Sequence, residues 1–230
     1  MNHEIPIIEN VLKLNDEIAG LNRRRFLDAG VLCFNMLGSP GCGKTTLLEA
    51  TLRDLGRELR FGVLVGDLAT TRDGERLRRW CDDVVQINTG KGCHLDANQV
   101  RQAMQRVDLD NLDVLVIENV GNLICPVGFD LGEHMKVGVF SVSDGDDKPA
   151  KHPHLVRAAE LLILNKIDLL PYVEFDRDLF VADIWKLNST AEYIELSSIH
   201  SRLNDWFDWI KTAFKRCVSP PVSSGEHASS

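Results

Sequence analysis

The 230-residue sequence has no apolar run long enough to cross a bilayer, and its opening, MNHEIPIIEN, lacks the basic segment and apolar stretch of a secretory signal. The cytoplasm is therefore the expected compartment. Positive charge is in short supply as well: 26 Lys and Arg against 34 Asp and Glu leave a net charge of -8. A surface of that sign repels phosphate backbones and anionic lipid, so neither nucleic acid nor a membrane is expected as a partner. Internal repeats are absent. Six cysteines are present, but Cys33, Cys42, Cys81, Cys93, Cys125 and Cys217 are scattered over a chain large enough to bury its own core, which is not the pattern of a disulfide framework. A cysteine with a purpose here is a metal ligand or a reactive thiol.

What the sequence does contain is alternation. Short apolar runs, VLCFNML, FGVLVG, VVQI, DVLVIE, VGVFSV, LLILN and YIELS, read as strands, mostly separated by segments of helical periodicity such as TTLLEATLRDL and LDANQVRQAMQRV. This order predicts an α/β fold: a mainly parallel sheet of about seven strands with helices on both faces. Over 9–24, Val11, Leu14, Ile18 and Leu21 recur at helical spacing ahead of Arg23, Arg24 and Arg25, a basic run suited to a helix C-terminus. LNDWFDWIKTAFKR sets Leu203, Phe207, Ile210 and Phe214 on one side of a final helix.

GSPGCGKTT, residues 38–46, follows the first strand-like run and opens a helix, giving G-x4-G-K-T in strand, loop, helix context. Gly38, Ser39, Pro40, Gly41, Cys42 and Gly43 form the turn, whose amides point inward around phosphate oxygens at a helix N-terminus. Lys44 reaches the terminal phosphates, Thr45 is the expected Mg2+ ligand, and Thr46 completes the cradle. The base is indicated by NKID, residues 165–168, which favours guanine. The Asp168 carboxylate accepts hydrogen bonds from the ring NH and exocyclic amine of guanine, whereas adenine would face it with an acceptor. Asn165 is expected to brace the loop and the stem of Lys166 to cover a face of the base. GTP and GDP are thus the expected nucleotides.

Two carboxylates end strand-like runs. Asp67 in LVGDLATTRDGER and Glu118 in VLVIENVGN are candidates for holding Mg2+ or orienting the attacking water, and with Lys44 they form the expected catalytic set. No residue declares itself an arginine finger; Arg72 and Lys148 are the candidate cations, and hydrolysis is expected to be slow. In a doubly wound sheet, ligands collect at the carboxyl ends of the strands. The P-loop, Asp67, the adjacent Cys93 and His94 in NTGKGCHLDANQV, and Cys125 in NVGNLICPVGFD should all share that edge. Two thiolates and an imidazole suit Ni2+ or Zn2+ and fall one ligand short of a closed tetrahedron. From spacing alone, buried or incidental cysteines remain an equal alternative.

GSPGCGKTTLLEATL, VGDLATTRDGERL, QINTGKGCHLDANQV, VLVIENVGNLICPVGFDLGE, SVSDGDDKPAKHP and LLILNKIDLL resemble the HypB family, hydrogenase nickel-incorporation GTPases of the SIMIBI class of P-loop proteins. The similarity runs from the N-terminal helix to about residue 215. It implies that Cys93, His94 and Cys125 bind nickel or zinc at a homodimer interface, with GTP state controlling dimerisation and metal release. It also implies delivery to a [NiFe]-hydrogenase large-subunit precursor together with a second nickel-accessory protein. The expected organisation is an N-terminal helix (1–30), a P-loop GTPase domain with inserted metal-site loops (31–217) and a disordered tail (218–230).

The sequence departs from the family in three places. It carries neither the N-terminal cysteine cluster nor the His-rich segment of some members, so a separate nickel-storage site is not carried over. ELSSIHS stands where many GTPases place Ser-Ala-Lys against guanine, leaving Ser197 and Ser198 as base-contact candidates, and Cys42 fills a variable P-loop position. His152 and His154 read as a solvated loop. Competing functions are a urease-type nickel-delivery GTPase, which typically places a proline between Cys and His, and a P-loop small-molecule kinase, which has no use for NKID.

Overall fold

In a computed structural model, which describes residues 7–67, 72–90, 92–199 and 203–218, all seven apolar runs become strands of one sheet. These are β1 (Leu32–Gly38), β2 (Phe61–Asp67), β3 (Val84–Asn88), β4 (Val114–Glu118), β5 (Met135–Ser141), β6 (Leu161–Asn165) and β7 (Glu192–Glu195). Their order is β3-β2-β4-β1-β5-β6-β7, and every pairing is parallel. β1, β4 and β6 are buried at every position, which is why they read as continuous apolar runs instead of alternating ones.

The helices are α1 (Ile7–Ala29), α2 (Lys44–Leu55), α3 (Arg72–Leu77), α4 (Ala97–Met104), α5 (Lys148–Lys151), α6 (Pro153–Ala158), α7 (Arg177–Leu187) and α8 (Asn204–Val218). α2 and α8 cover one face of the sheet over Leu32, Phe34 and Met36. On the other face, α1 and α4 pack on Cys33, Leu64 and Leu115, and α6 and α7 on Phe140, Leu162 and Leu164.

Two helical faces differ from their sequence patterns. α1 runs on past the three arginines to Ala29, because Phe26 is fully buried one turn later, and it is followed by Gly30 at φ +66°. The arginines therefore do not sit in its last turn, and Arg23 pairs with Asp130 at 2.7 Å. The buried side of α1 carries Asn15, Ala19, Asn22 and Phe26, while Leu14 and Leu21 are exposed. The two amides earn that position by pairing with backbone: Asn22 Nδ2 donates to the carbonyls of Ala97 (2.8 Å) and Leu131 (2.9 Å), and Asn15 Oδ1 accepts from Ala97 N (2.9 Å). In α8, Trp206 and Ile210 are the deepest residues, with Phe207 and Phe214 only partly buried. Trp206 stands edge-on to Phe34 at 5.7 Å and donates its indole NH to Thr51 Oγ1 at 2.8 Å, locking α8 to α2. Residues 219–230, nearly all of the expected tail, lie outside the described residues.

Candidate functional site: a phosphate cradle beside a thiol–imidazole cluster

β1 ends at Gly38 and the chain turns directly into α2, so the loop between them closes over the helix N-terminus. Gly41 and Gly43 have φ of +76° and +101°. Position 43 must also be glycine because a Cβ there would collide with the Asn165 amide. Lys44 folds back over the loop, its ammonium donating to Gly38 O (3.1 Å) and Ser39 O (3.3 Å). Ser39 Oγ donates to Asp144 at 2.6 Å. Pro40, Thr45 and Thr46 line the adjoining cleft of about 500 Å³, whereas Cys42 is fully buried.

Thr45 Oγ1 donates to Glu118 Oε1 at 2.6 Å. The other oxygen, Glu118 Oε2, is buried with no hydrogen-bond partner. Burial, opposed by the Lys44 charge and the Thr45 hydrogen bond, pushes the Glu118 carboxyl up from 4.5 to about 7. An orphaned carboxylate oxygen beside the P-loop threonine is the donor set a hard divalent cation needs, so these residues fit Mg2+. Asp67, at the end of β2, lines the same cleft. Arg72 is exposed, and neither it nor Lys148 is among the cleft-lining residues. Instead α3 presents Asp73 and Arg76, the latter bonded to Thr46 Oγ1 (3.2 Å) and paired with Glu49. The spacing Asp73, Arg76, one helical turn apart just beyond a strand-ending acid, is the sequence signal that could have found them.

On the NKID side, Asn165 braces the P-loop by donating from Nδ2 to Cys42 O at 2.9 Å. Its Oδ1 accepts from Ser198 N (3.1 Å) and Ser198 Oγ (2.9 Å). Ser197 is buried, and its hydroxyl donates to Asp168 Oδ1 at 2.5 Å, so it orients the carboxylate. Lys166, at φ +61°, extends its amine to Gly41 O at 2.6 Å, laying its stem across the mouth of the loop.

Cys93, His94 and Cys125 converge. One possible ligand atom from each lies within 4.8 Å of the others, and this is the one such group of His, Cys and acidic side chains among the described residues. Cys93 and His94 follow β3 and Cys125 opens the 3-10 turn Cys125–Gly128 after β4, so both loops leave the carboxyl edge that bears the cradle. Cys93 Sγ is 3.5 Å from His94 Nδ1. The hydrogen bond to Cys125, then burial, raises the Cys93 thiol; burial lowers the His94 imidazole, which keeps it neutral and able to donate a lone pair. The His94 ring stacks on Phe129 with centroids 3.9 Å apart, fixing its plane. His152 and His154 lie at the α5–α6 junction, apart from this group.

The remaining cysteines are packing residues: Cys33 is fully buried, Cys81 donates to Phe61 O, and Cys217 lies against His134.

The CobW/HypB/UreG nucleotide-binding domain matches residues 32–195. The hydrogenase maturation factor HypB of Escherichia coli (strain K12) is 45% identical over 210 residues, covering 91% of this chain and 72% of that protein. The crystal structure of HypB from Archaeoglobus fulgidus superposes with a TM-score of 0.83 at 38% identity, covering 88% of this chain and all of that one. HypB from Helicobacter pylori, solved in complex with nickel, gives 0.85 at 35% identity over 91% of this chain and 99% of that one. Cradle, cluster and similarity agree: the chain belongs to the CobW/HypB/UreG family of nucleotide-binding proteins, among the HypB hydrogenase maturation factors.

Proposed function

We propose that this chain is a GTP-hydrolysing nickel chaperone that delivers the metal to a [NiFe]-hydrogenase large-subunit precursor. The observation that carries the reading is the convergence of Cys93, His94 and Cys125 on the same sheet edge as the P-loop. Nickel is the cargo; the three donors leave a coordination position open for a second subunit's ligand or for transfer, and zinc competes for the same thiolates. The relative crystallised with nickel supports the choice of metal.

Asp168, held by Ser197, presents its free oxygen to the guanine edge, which supports GTP over ATP. Mg2+ would be held by Thr45 and Glu118 with Asp67 nearby and would neutralise phosphate charge. Lys44 holds the phosphates, and its present carbonyl partners are the ones nucleotide would replace. Arg76 takes the place of Arg72 and Lys148 as candidate cation, and with its guanidinium already paired to Glu49 hydrolysis is slow. The protein works in the cytoplasm as a homodimer with a second nickel-accessory protein; no helix among the described residues is long and apolar enough to cross a membrane.

The test is nickel affinity measured with a GTP analogue and with GDP, alongside size-exclusion chromatography. Nucleotide-dependent affinity supports the proposal, and equal values in both states remove the coupling.

A further inference from the structure

From the last residue of β4, the chain runs beside the end of β1 and the P-loop over residues 118–122. Glu118 accepts the Thr45 hydroxyl, and Asn119 N donates to Met36 O at 3.1 Å. Gly121 fits so closely that a Cβ would stand 3.1 Å from Pro40, and Asn122 forms an isolated antiparallel bridge with Gly38. The same segment holds the metal loop from its other side. Asn119 Oδ1 accepts from Leu95 N at 3.3 Å, and Asn122 Nδ2 donates to Cys93 O at 3.4 Å. Asn122 Oδ1 accepts from Ile124 N at 2.9 Å, fixing the turn that presents Cys125. The P-loop backbone, the Cys93 main chain and the approach to Cys125 therefore meet at one residue, the first through its main chain and the other two through its side chain.

We infer that Asn122 is the positioning residue through which nucleotide state sets the Cys93–Cys125 geometry, and so the nickel affinity. The inference rests on the nickel-chaperone reading above. The backbone bridge makes residue 122 follow Gly38 at the mouth of the phosphate loop, and the carboxamide passes that displacement to the Cys93 carbonyl while keeping its hold on the Ile124 amide. A carboxamide supplies a donor and an acceptor together; a carboxylate keeps only the acceptors, and a methyl group supplies neither. Coupling of this kind is reciprocal, so nickel must change nucleotide affinity by the factor by which nucleotide changes nickel affinity.

The experiment measures nickel dissociation constants for the full chain loaded with a non-hydrolysable GTP analogue or with GDP, in the parent, Asn122→Ala and Asn122→Asp. The parent ratio between states is expected to be about fivefold or more, and in both variants to fall within about twofold of unity. GDP affinity without nickel should stay near the parent value, because neither substitution alters the main-chain bridge to Gly38. Asn122→Asp retains the bond to Ile124 N, so loss of the ratio there does not come from a collapsed Cys125 turn, and it decides the matter if the alanine variant fails to fold. A parent-sized ratio in a folded variant overturns the inference, even if both nickel affinities have dropped together, since that outcome gives Asn122 a purely structural role. A ratio of unity in the parent overturns the coupled function first and the inference with it, and is recognised because it appears before any substitution.

Discussion

The phosphate cradle and the thiol–imidazole cluster share one edge of the sheet but are held in different ways. In the cradle, Lys44, Thr45, Asn165 and Asp168 each have a protein partner already in place, and the first two are more than nine-tenths buried. Lys44 and Thr45 open α2, Asn165 ends β6 and Asp168 lies in the turn just after it, on or beside elements fixed by the core. Cys93, His94 and Cys125 are only half-buried and lie in two loops, leaning on one another and on Phe129. The cradle is a preformed receptor. The cluster is suspended between loops, so a small shift in either loop changes the separation of its ligands. A chaperone needs that division, because its energy source must bind predictably while its cargo must be let go.

The sharpest way to break the comparison is to disable one side alone. Lys44→Ala should lower phosphate release by about a thousandfold, the scale of losing a charged contact to the transferring phosphoryl group. Nickel affinity in the nucleotide-free protein should stay at the parent value, because the Lys44 ammonium bonds to carbonyls of the P-loop. Phosphate-release assays and chelator competition check the two halves.

The preformed state of the cradle has a cost at Glu118. Without cation or nucleotide, its carboxyl titrates near 7 in the folded protein against 4.5 in the unfolded chain. Below 4.5 both states are neutral and no penalty exists; as pH rises through 7 the folded state must carry a buried carboxylate, losing up to about 3 kcal/mol. Glu118→Gln removes that penalty. The metal-free variant should have a higher Tm than the parent near pH 8 and an equal one near pH 4.5, while losing hydrolysis. A pH-independent offset in Tm would show that burial does not raise this carboxyl.

On the cluster side, Cys125→Ser exchanges a soft donor for a hard, slightly smaller one on the same side-chain skeleton. Nickel affinity should fall at least about 10- to 100-fold, the range produced by losing even an outer-shell partner of a metal ligand, with GDP affinity intact. A loss smaller than twofold would place the cargo elsewhere.

Local patterns made most of this legible in the sequence. The seven strands are short apolar runs, and the P-loop is a fixed spacing between a strand and a helix. The convergence of Cys93, His94 and Cys125 follows from the rule that parallel strands gather their trailing loops at one edge. Long-range pairing hid the rest. Asn15 and Asn22 take the buried side of α1 because of backbone groups 75 to 115 residues away, which apolar periodicity cannot register. Arg76 enters the cleft through the placement of α3, and the bond from Ser197, itself a sequence candidate, to Asp168 joins residues 29 apart in the chain. Asn119 and Asn122 read as ordinary loop residues until the Cys93–Leu95 segment is folded against them.

The smallest expected effect tests how rigid the cradle is at its far end. Asp168→Asn keeps an oxygen for the Ser197 hydroxyl, so the loop should stay in place and Tm should change little. Toward the base, however, one acceptor becomes a donor. Guanine offers two donors on that edge, so the variant loses a charge-assisted bond and GTP binding should weaken by about 10- to 100-fold. Xanthine carries a carbonyl where guanine has its exocyclic amine, and the new amide can donate to it. Preference should therefore pass from GTP to XTP, measured by competition against a labelled nucleotide. If the cradle were as pliable as the metal loops, the side chain would reorient and both nucleotides would bind alike; a clean reversal requires Ser197 and the end of β6 to hold residue 168 in one orientation.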